Sequence, residues 1–211
     1  MRQIDAIFNS MVGKSNTEPY TLYDYLESDG NGQYIDTGIM PNNNTRVICE
    51  YFFQSDVSRT FVFGARTVNR VASFLHRGTT GGQSTADYGN GQVNFGAVSA
   101  NARYTIDANK NVWTLTDEQQ QSIVRTFSEQ TFVTNCTLTL FAMNSNGNTN
   151  NLRDPSAIIS AKIYDNDVLV RDLHPAVRNS DGVTGMLDTV NDVFYTNANP
   201  SGDNFLYGNL T

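Results

Sequence analysis

His76 and His174 are the only two histidines in the chain. A serine–histidine–aspartate hydrolase needs a histidine beside a nucleophilic serine on a sharp strand-to-helix elbow. No G-x-S-x-G motif supplies that elbow. His174 lies in Asp172-Leu173-His174-Pro175 at a strand end and reads as a structural histidine. Glycoside hydrolysis asks for two carboxylates, about 5–10 Å apart, on opposite sides of the scissile bond. On a strand that pair shows as acidic residues at alternating positions, because i and i+2 share a face. Glu50 stands alone in its run, Asp117 and Glu118 are adjacent near a turn, and Asp165 and Asp167 form a turn. No catalytic residue is assigned.

Metal ligands are equally sparse. No Cys/His cluster suits zinc, and no EF-hand loop suits calcium. Ser28-Asp29-Gly30-Asn31-Gly32 and Asp165-Asn166-Asp167 could offer oxygens to calcium, but turn formation accounts for both. Neither a metal site nor a cofactor is expected. Gly81-Gly82 and Gly89-Asn90-Gly91 precede no helix, so a phosphate loop is unsupported. Cys49 and Cys136 sit in apolar, strand-like runs and read as buried free thiols. A disulfide between them is the open alternative. Sugar recognition is what remains. It needs an aromatic face for the ring's C–H groups and polar side chains for its hydroxyls. Tyr88, Asn90, Trp113, Tyr195 and Asn197, with Arg77, are the candidates, and the competing use of the aromatics, Trp113 above all, is the core.

The elements that would carry these residues change character along the chain. Ile4, Ile7, Phe8, Met11 and Val12 fall at i, i+3, i+4, i+7 and i+8, one apolar stripe of an α-helix over residues 1–13, with Gly13 as its stop. Such a short helix needs a surface to cover. It either packs on its own domain or serves as an assembly anchor on another chain. A polar linker, 14–21, follows. Beyond it the period is two. Thr45 to Phe53, Phe61 to Arg66, Arg103 to Ala108, Val112 to Thr116, Ile123 to Phe127, Thr137 to Met143, Ile159 to Tyr164 and Val168 to Leu173 read as strands. Asn109-Lys110-Asn111 and Asp165-Asn166-Asp167 read as hairpin turns, and 144–151 as an Asn-rich loop. Many short strands with turn chemistry between them predict an all-β sandwich or barrel.

With 211 residues the chain can bury a substantial core without staples. A formal net charge of −7 disfavours nucleic acid and anionic lipid as partners. No apolar run approaches the ~20 residues of a membrane span. Asp5 and Asn9 interrupt any secretory hydrophobic region, so synthesis in the cytoplasm without a signal peptide is expected.

Tyr23-Asp24-Tyr25-Leu26-Glu27-Ser28 followed by Gly32-Gln33-Tyr34-Ile35-Asp36-Thr37-Gly38-Ile39 carries a resemblance. It resembles the opening of the concanavalin A-like (laminin-G-like) sandwich domains of phage, prophage and gut-bacterial surface proteins. The series continues in order through Phe63-Gly64-Ala65-Arg66, Thr139-Leu140-Phe141-Ala142-Met143-Asn144, Lys162-Ile163-Tyr164-Asp165, Val170-Arg171-Asp172-Leu173, Ser180 to Asp188 and Phe194-Tyr195-Thr196-Asn197. His174 and the tail from Pro200 depart from it. The resemblance implies a two-sheet antiparallel jelly-roll sandwich over 22–211, carried on the short helix. It also implies calcium between loops as an option and a setting on a phage particle. The functions expected are non-catalytic adhesion to host or environmental glycans, with the helix binding other virion proteins or trimerising the chain. A purely structural decoration or fibre component is the alternative. A secreted glycosidase ranks last, since the acidic strand triplet of the resembling glucanases is missing.

Overall fold

The computed structural model describes residues 19–54, 60–68, 71–79, 82–150, 155–200 and 202–210. The stripe Ile4, Ile7, Phe8, Met11 and Val12, and with it the expected helix, lies outside the described residues. Among the described residues the regular structure is β, with the strands joined by turns and irregular connections such as 127–138. In chain order the strands are β1 (Tyr20–Leu22), β2 (Tyr25–Ser28), β3 (Ile35–Asp36), β4 (Thr45–Phe53), β5 (Phe61–Arg66), β6 (Ser73–Thr79) and β7 (Gln83–Tyr88). Then come β8 (Gly91–Ala97), β9 (Arg103–Asn109), β10 (Val112–Asp117), β11 (Ser122–Thr126), β12 (Thr139–Leu140), β13 (Met143–Ser145) and β14 (Asn148–Asn150). The last are β15 (Ser156–Asp165), β16 (Val168–Arg178), β17 (Thr184–Asp188), β18 (Val193–Thr196) and β19 (Leu206–Gly208).

They form two sheets. One runs β11-β10-β9-β4-β15-β16-β17-β18, with β1 on β16, β2 on β15 and β19 on β2. The other runs β14-β13-β5-β6-β7-β8, with β12 joining β5 to β3. The pairings are antiparallel except β13 on β5, which is parallel. The chain is the two-sheet antiparallel jelly-roll sandwich that its motifs imply. It opens at Tyr20, whose strand pairs with Ala176–Arg178, so the sheet takes in the end of the expected linker.

Alternation decides which side chains meet. In β4, Thr45, Val47, Cys49, Tyr51 and Phe53 are buried, while Arg46, Ile48 and Glu50 are half-exposed on the outer face. The opposing sheet sends Phe63, Phe74, Ala86 and Phe95 inward. Trp113 is fully buried between the sheets, with ring centroids 5.0 Å from Phe74 and 5.4 Å from Phe127. Cys49 and Cys136 are buried free thiols, and burial pushes the Cys49 thiol up.

Two expectations need correcting. Thr137 to Met143 is not one strand. Thr139–Leu140 pairs antiparallel with β5, the chain reverses at Phe141 (φ 66°), and Asn144 then pairs parallel with the same strand. The Phe141 ring packs on Phe205 at 5.0 Å, and core packing holds a bulky residue in a conformation it rarely adopts. The Asn-rich stretch is not a simple loop either, because β13 and β14 pair across a turn at Asn146 (φ 53°) and Gly147 (φ 87°).

A polar cleft where four connections meet

Four connections come together at one end of the sandwich and enclose a cleft of about 450 Å³. Its lining is Asn43, Asn44, Tyr88, Lys110, Asn111, Glu129, Gln130 and Thr131. The segment before β4 is shaped by its own side chains: the Asn44 N–H donates to Asn42 Oδ1 at 2.7 Å, and the Asn42 N–H donates to Thr45 Oγ1 at 2.9 Å. The β9–β10 turn places Lys110 at φ 53°. Behind it, the β15–β16 turn holds both Asn166 (φ 49°) and Asp167 (φ 66°) left-handed, as a tight two-residue hairpin of the primed kind requires. Side chains tie the three turns together. Asn44 Nδ2 donates to Asn166 Oδ1 at 3.0 Å, and Lys110 Nζ lies 3.0 Å from Asp167 Oδ2.

The fourth connection follows β11. Its start is fixed by the Phe127 N–H donating to the Asn111 carbonyl at 2.8 Å, with Asn111 Nδ2 returning a bond to the Phe127 carbonyl at 3.2 Å. Gln130 then grips the β7–β8 turn at both ends. Its Oε1 accepts from the Asn90 N–H at 2.9 Å and its Nε2 donates to the Tyr88 carbonyl at 3.2 Å. That grip needs Gly89: a Cβ there would lie 2.1 Å from Gln130 Oε1, and φ is 59°.

Tyr88 is the floor. Its ring is buried between Phe127 (5.5 Å) and Phe132 (4.9 Å), and its hydroxyl donates to the Asn43 carbonyl at 3.0 Å. Burial, then the Glu129 carboxylate, raises the phenol above its ordinary range. The walls are amides, a hydroxyl, one ammonium and one carboxylate. Such a lining both donates and accepts at many points, which matches a polyhydroxylated ligand.

The sequence candidates divide. Tyr88 lines the cleft but, only 2% exposed, offers no open ring face for stacking, and Asn90 is exposed beside it on the turn that Gln130 holds. Trp113 leaves the set, because an indole with no exposed surface cannot stack on a ligand. It lies behind the cleft, against Phe127. Tyr195 is half-buried against the core with the Arg171 guanidinium 5.7 Å from its ring. Asn197 is committed to its own turn, donating to the Asp203 carbonyl at 2.8 Å and accepting from the Tyr34 and Asn199 N–H groups. Arg77 is held by Thr85 and the Phe61 ring. Asn43, Asn44, Lys110, Asn111, Glu129, Gln130 and Thr131 went unsuspected as ligands. The first four sit in stretches whose turn character is plain in the sequence, but Glu129-Gln130-Thr131 carries no pattern at all.

Other chemistry is accounted for locally. His76 is fully buried, 2.7 Å from the Tyr51 hydroxyl, and burial pushes it down to about 3. His174 Nε2 lies 2.9 Å from Asp172 Oδ1, the structural role expected of it. Folding does bring Glu50, Asp117 and Glu118 to one shallow cleft of about 120 Å³ on the outer face. There Asp117 Oδ1 accepts from the Gln121 N–H at 2.8 Å, and Glu118 lies 3.9 Å from Arg103. Among the described residues no group of three or more His, Cys, Asp or Glu is placed to hold a metal ion. Nor is any described helix long and apolar enough to cross a membrane.

No family model matches the chain, and no curated protein matches it. Solved structures do. A Ruminococcus gnavus sialidase carbohydrate-binding domain (CBM40) bound to α2,3-sialyllactose superposes with a TM-score of 0.48 at 13% identity, over 72% of this chain and 91% of that one. Domains LG4–5 of the mouse laminin α1 chain superpose at 0.49 and 12% identity, over 74% of this chain and 48% of that one. A tailspike protein of an Escherichia coli O157:H7 bacteriophage superposes at 0.46 and 10% identity, over 66% and 22%. The likeness is one of fold. At these values it says nothing of what this chain binds, and the cleft must speak for itself.

Proposed function

We propose that this chain is a non-catalytic, lectin-like module that binds a sugar in the cleft floored by Tyr88. The observation that carries the reading is the lining itself. Asn43, Asn44, Asn111 and Gln130 are fixed by turn hydrogen bonds, and Thr131 and Glu129 stand exposed beside them. A volume of about 450 Å³ suits one or two sugar rings. Glu129 is the one carboxylate in that lining, whereas hydrolysis of a glycosidic bond takes two. In the smaller Glu50–Asp117–Glu118 cleft, Asp117 is engaged by the Gln121 N–H and Glu118 lies near Arg103. Retention of the full chain on an immobilised glycan panel tests the reading, and retention on none of the panel contradicts it.

The setting we propose is the surface of a phage particle, for adhesion to host or environmental glycans. Its support is the ordered motif series from Tyr23 to Asn197. In this reading Ile4, Ile7, Phe8, Met11 and Val12 anchor the module to other virion proteins or to further copies of itself. A second reading, a structural decoration or fibre component, draws on a different observation. Leu22, Leu206 and Tyr207 are 59%, 55% and 44% exposed on strands β1 and β19, and exposed apolar side chains of this size suit a protein partner. Deleting residues 1–13 separates the two ideas from the anchor: a folded chain still incorporated into particles would place the attachment on the sandwich.

A further inference from the structure

We infer that Glu129 selects the class of sugar, favouring a unit with a free amine and disfavouring one with a carboxylate. The inference rests on the cleft being a sugar site. Its lining carries two charges, Glu129 and Lys110. The Lys110 ammonium is already 3.0 Å from Asp167 Oδ2. The Glu129 carboxylate is exposed and makes no hydrogen bond or ion pair among the described residues. The charge left for a ligand to meet is therefore negative.

The surroundings reinforce it. Asp165 accepts from the Asn42 amide at 3.2 Å and so places a further carboxylate next to the Asn43–Asn44 segment. The guanidinium of Arg46, whose field reaches Asp167, is bidentate on Asp107 at 2.8 and 2.7 Å and brings no net positive charge. The Glu129 charge also reaches the floor, where it helps to keep the Tyr88 phenol protonated. The whole chain carries a formal −7. A carboxylated sugar entering here would meet like charge in a partly desolvated pocket, whereas an ammonium on a sugar ring would find an unpaired acceptor. Hydroxyl recognition by the amides is common to both ligand types, so Glu129 adjusts the choice without creating the site.

The test is calorimetric titration of the full chain with three probes: a glucosamine disaccharide, its N-acetylated form, and a disaccharide containing glucuronic acid. The free-amine probe should bind about threefold to tenfold more tightly than the N-acetylated one, and the acidic probe more weakly than either. Glu129→Gln should erase the amine preference while retaining the N-acetylated probe, and high salt should shrink the preference in the native chain. Equal affinity for the amine and N-acetylated probes, or a preference that survives Glu129→Gln, overturns the selection. Failure of all three probes by a chain that is retained on another member of the glycan panel overturns the selection alone, and failure on the whole panel overturns the sugar site with it.

Discussion

Trp113 donates its indole N–H to the carbonyl of Lys110 across 2.8 Å. One bond thus joins the largest side chain of the core to a left-handed turn residue on the cleft wall. The Lys110 side chain in turn meets Asp167 of the next hairpin. The cleft is therefore not a loose gathering of loops. Its walls are tied to the packed interior, so changes behind the floor should be felt in front of it.

Trp113→Phe should cost about 1–3 kcal/mol, from lost contact area and an unpaired Lys110 carbonyl. Trp113→Ala should cost about 3–5 kcal/mol. Urea unfolding followed by far-UV circular dichroism measures both, since the variants lack the chain's one tryptophan. A cost within about 0.5 kcal/mol for Trp113→Ala would contradict the buried placement.

Gln130→Ala should cost about 1 kcal/mol, because the Asn90 N–H and the Tyr88 carbonyl each lose a partner. The same change should weaken sugar binding several-fold through a loosened β7–β8 turn. Thermal unfolding and titration read the two effects separately.

The sandwich was legible where period and turn chemistry agreed. Thr45–Phe53 and Phe61–Arg66 alternate or run apolar between clear breaks, and they form strands over those bounds. Gln83–Tyr88 and Gly91–Ala97 escaped notice because polar residues fill β7 even at buried positions such as Ser84, Thr85 and Asp87, and glycines break the apolar alternation of β8. The reversal at Phe141 was illegible for another reason: neighbours such as Phe205, far away in sequence, stabilise it. The cleft was half legible. Tyr88 and Asn90 belong to a Gly-Asn hairpin turn, closed by the Tyr88–Gly91 pair. Glu129, Gln130 and Thr131 become wall residues only because Asn111 and Phe127 pin their segment, a contact that no spacing rule encodes.

His76 predicts an acid limit. Burial holds it at about 3, against an ordinary 6.5. Between those values the unfolded chain binds a proton that the folded chain refuses. Stability therefore falls as pH drops from about 6.5 towards 3, with a slope approaching about 1.4 kcal/mol per pH unit. His76→Gln should be less stable at pH 7 yet show a flatter decline. Urea midpoints at pH 7, 5.5 and 4.5 check this.

Gly185 predicts a hard steric limit within the first sheet. A Cβ there would lie 2.1 Å from the Tyr195 carbonyl oxygen on the paired strand. Gly185→Ala should cost more than about 3 kcal/mol or prevent soluble folding. A melting temperature equal to the native chain's would show that β17 and β18 do not approach in this way.

The cleft is the feature on which sugar binding by this chain depends. Asn43→Ala combined with Thr131→Ala removes two polar groups from the cleft lining and leaves the Tyr88–Asn43 backbone bond in place. The measurement is the affinity of this double variant and of the native full chain for whichever sugar the panel identifies. With the fold intact by circular dichroism, affinity should drop about tenfold or more. An unchanged affinity would place the sugar elsewhere on the sandwich and contradict the site proposed for it.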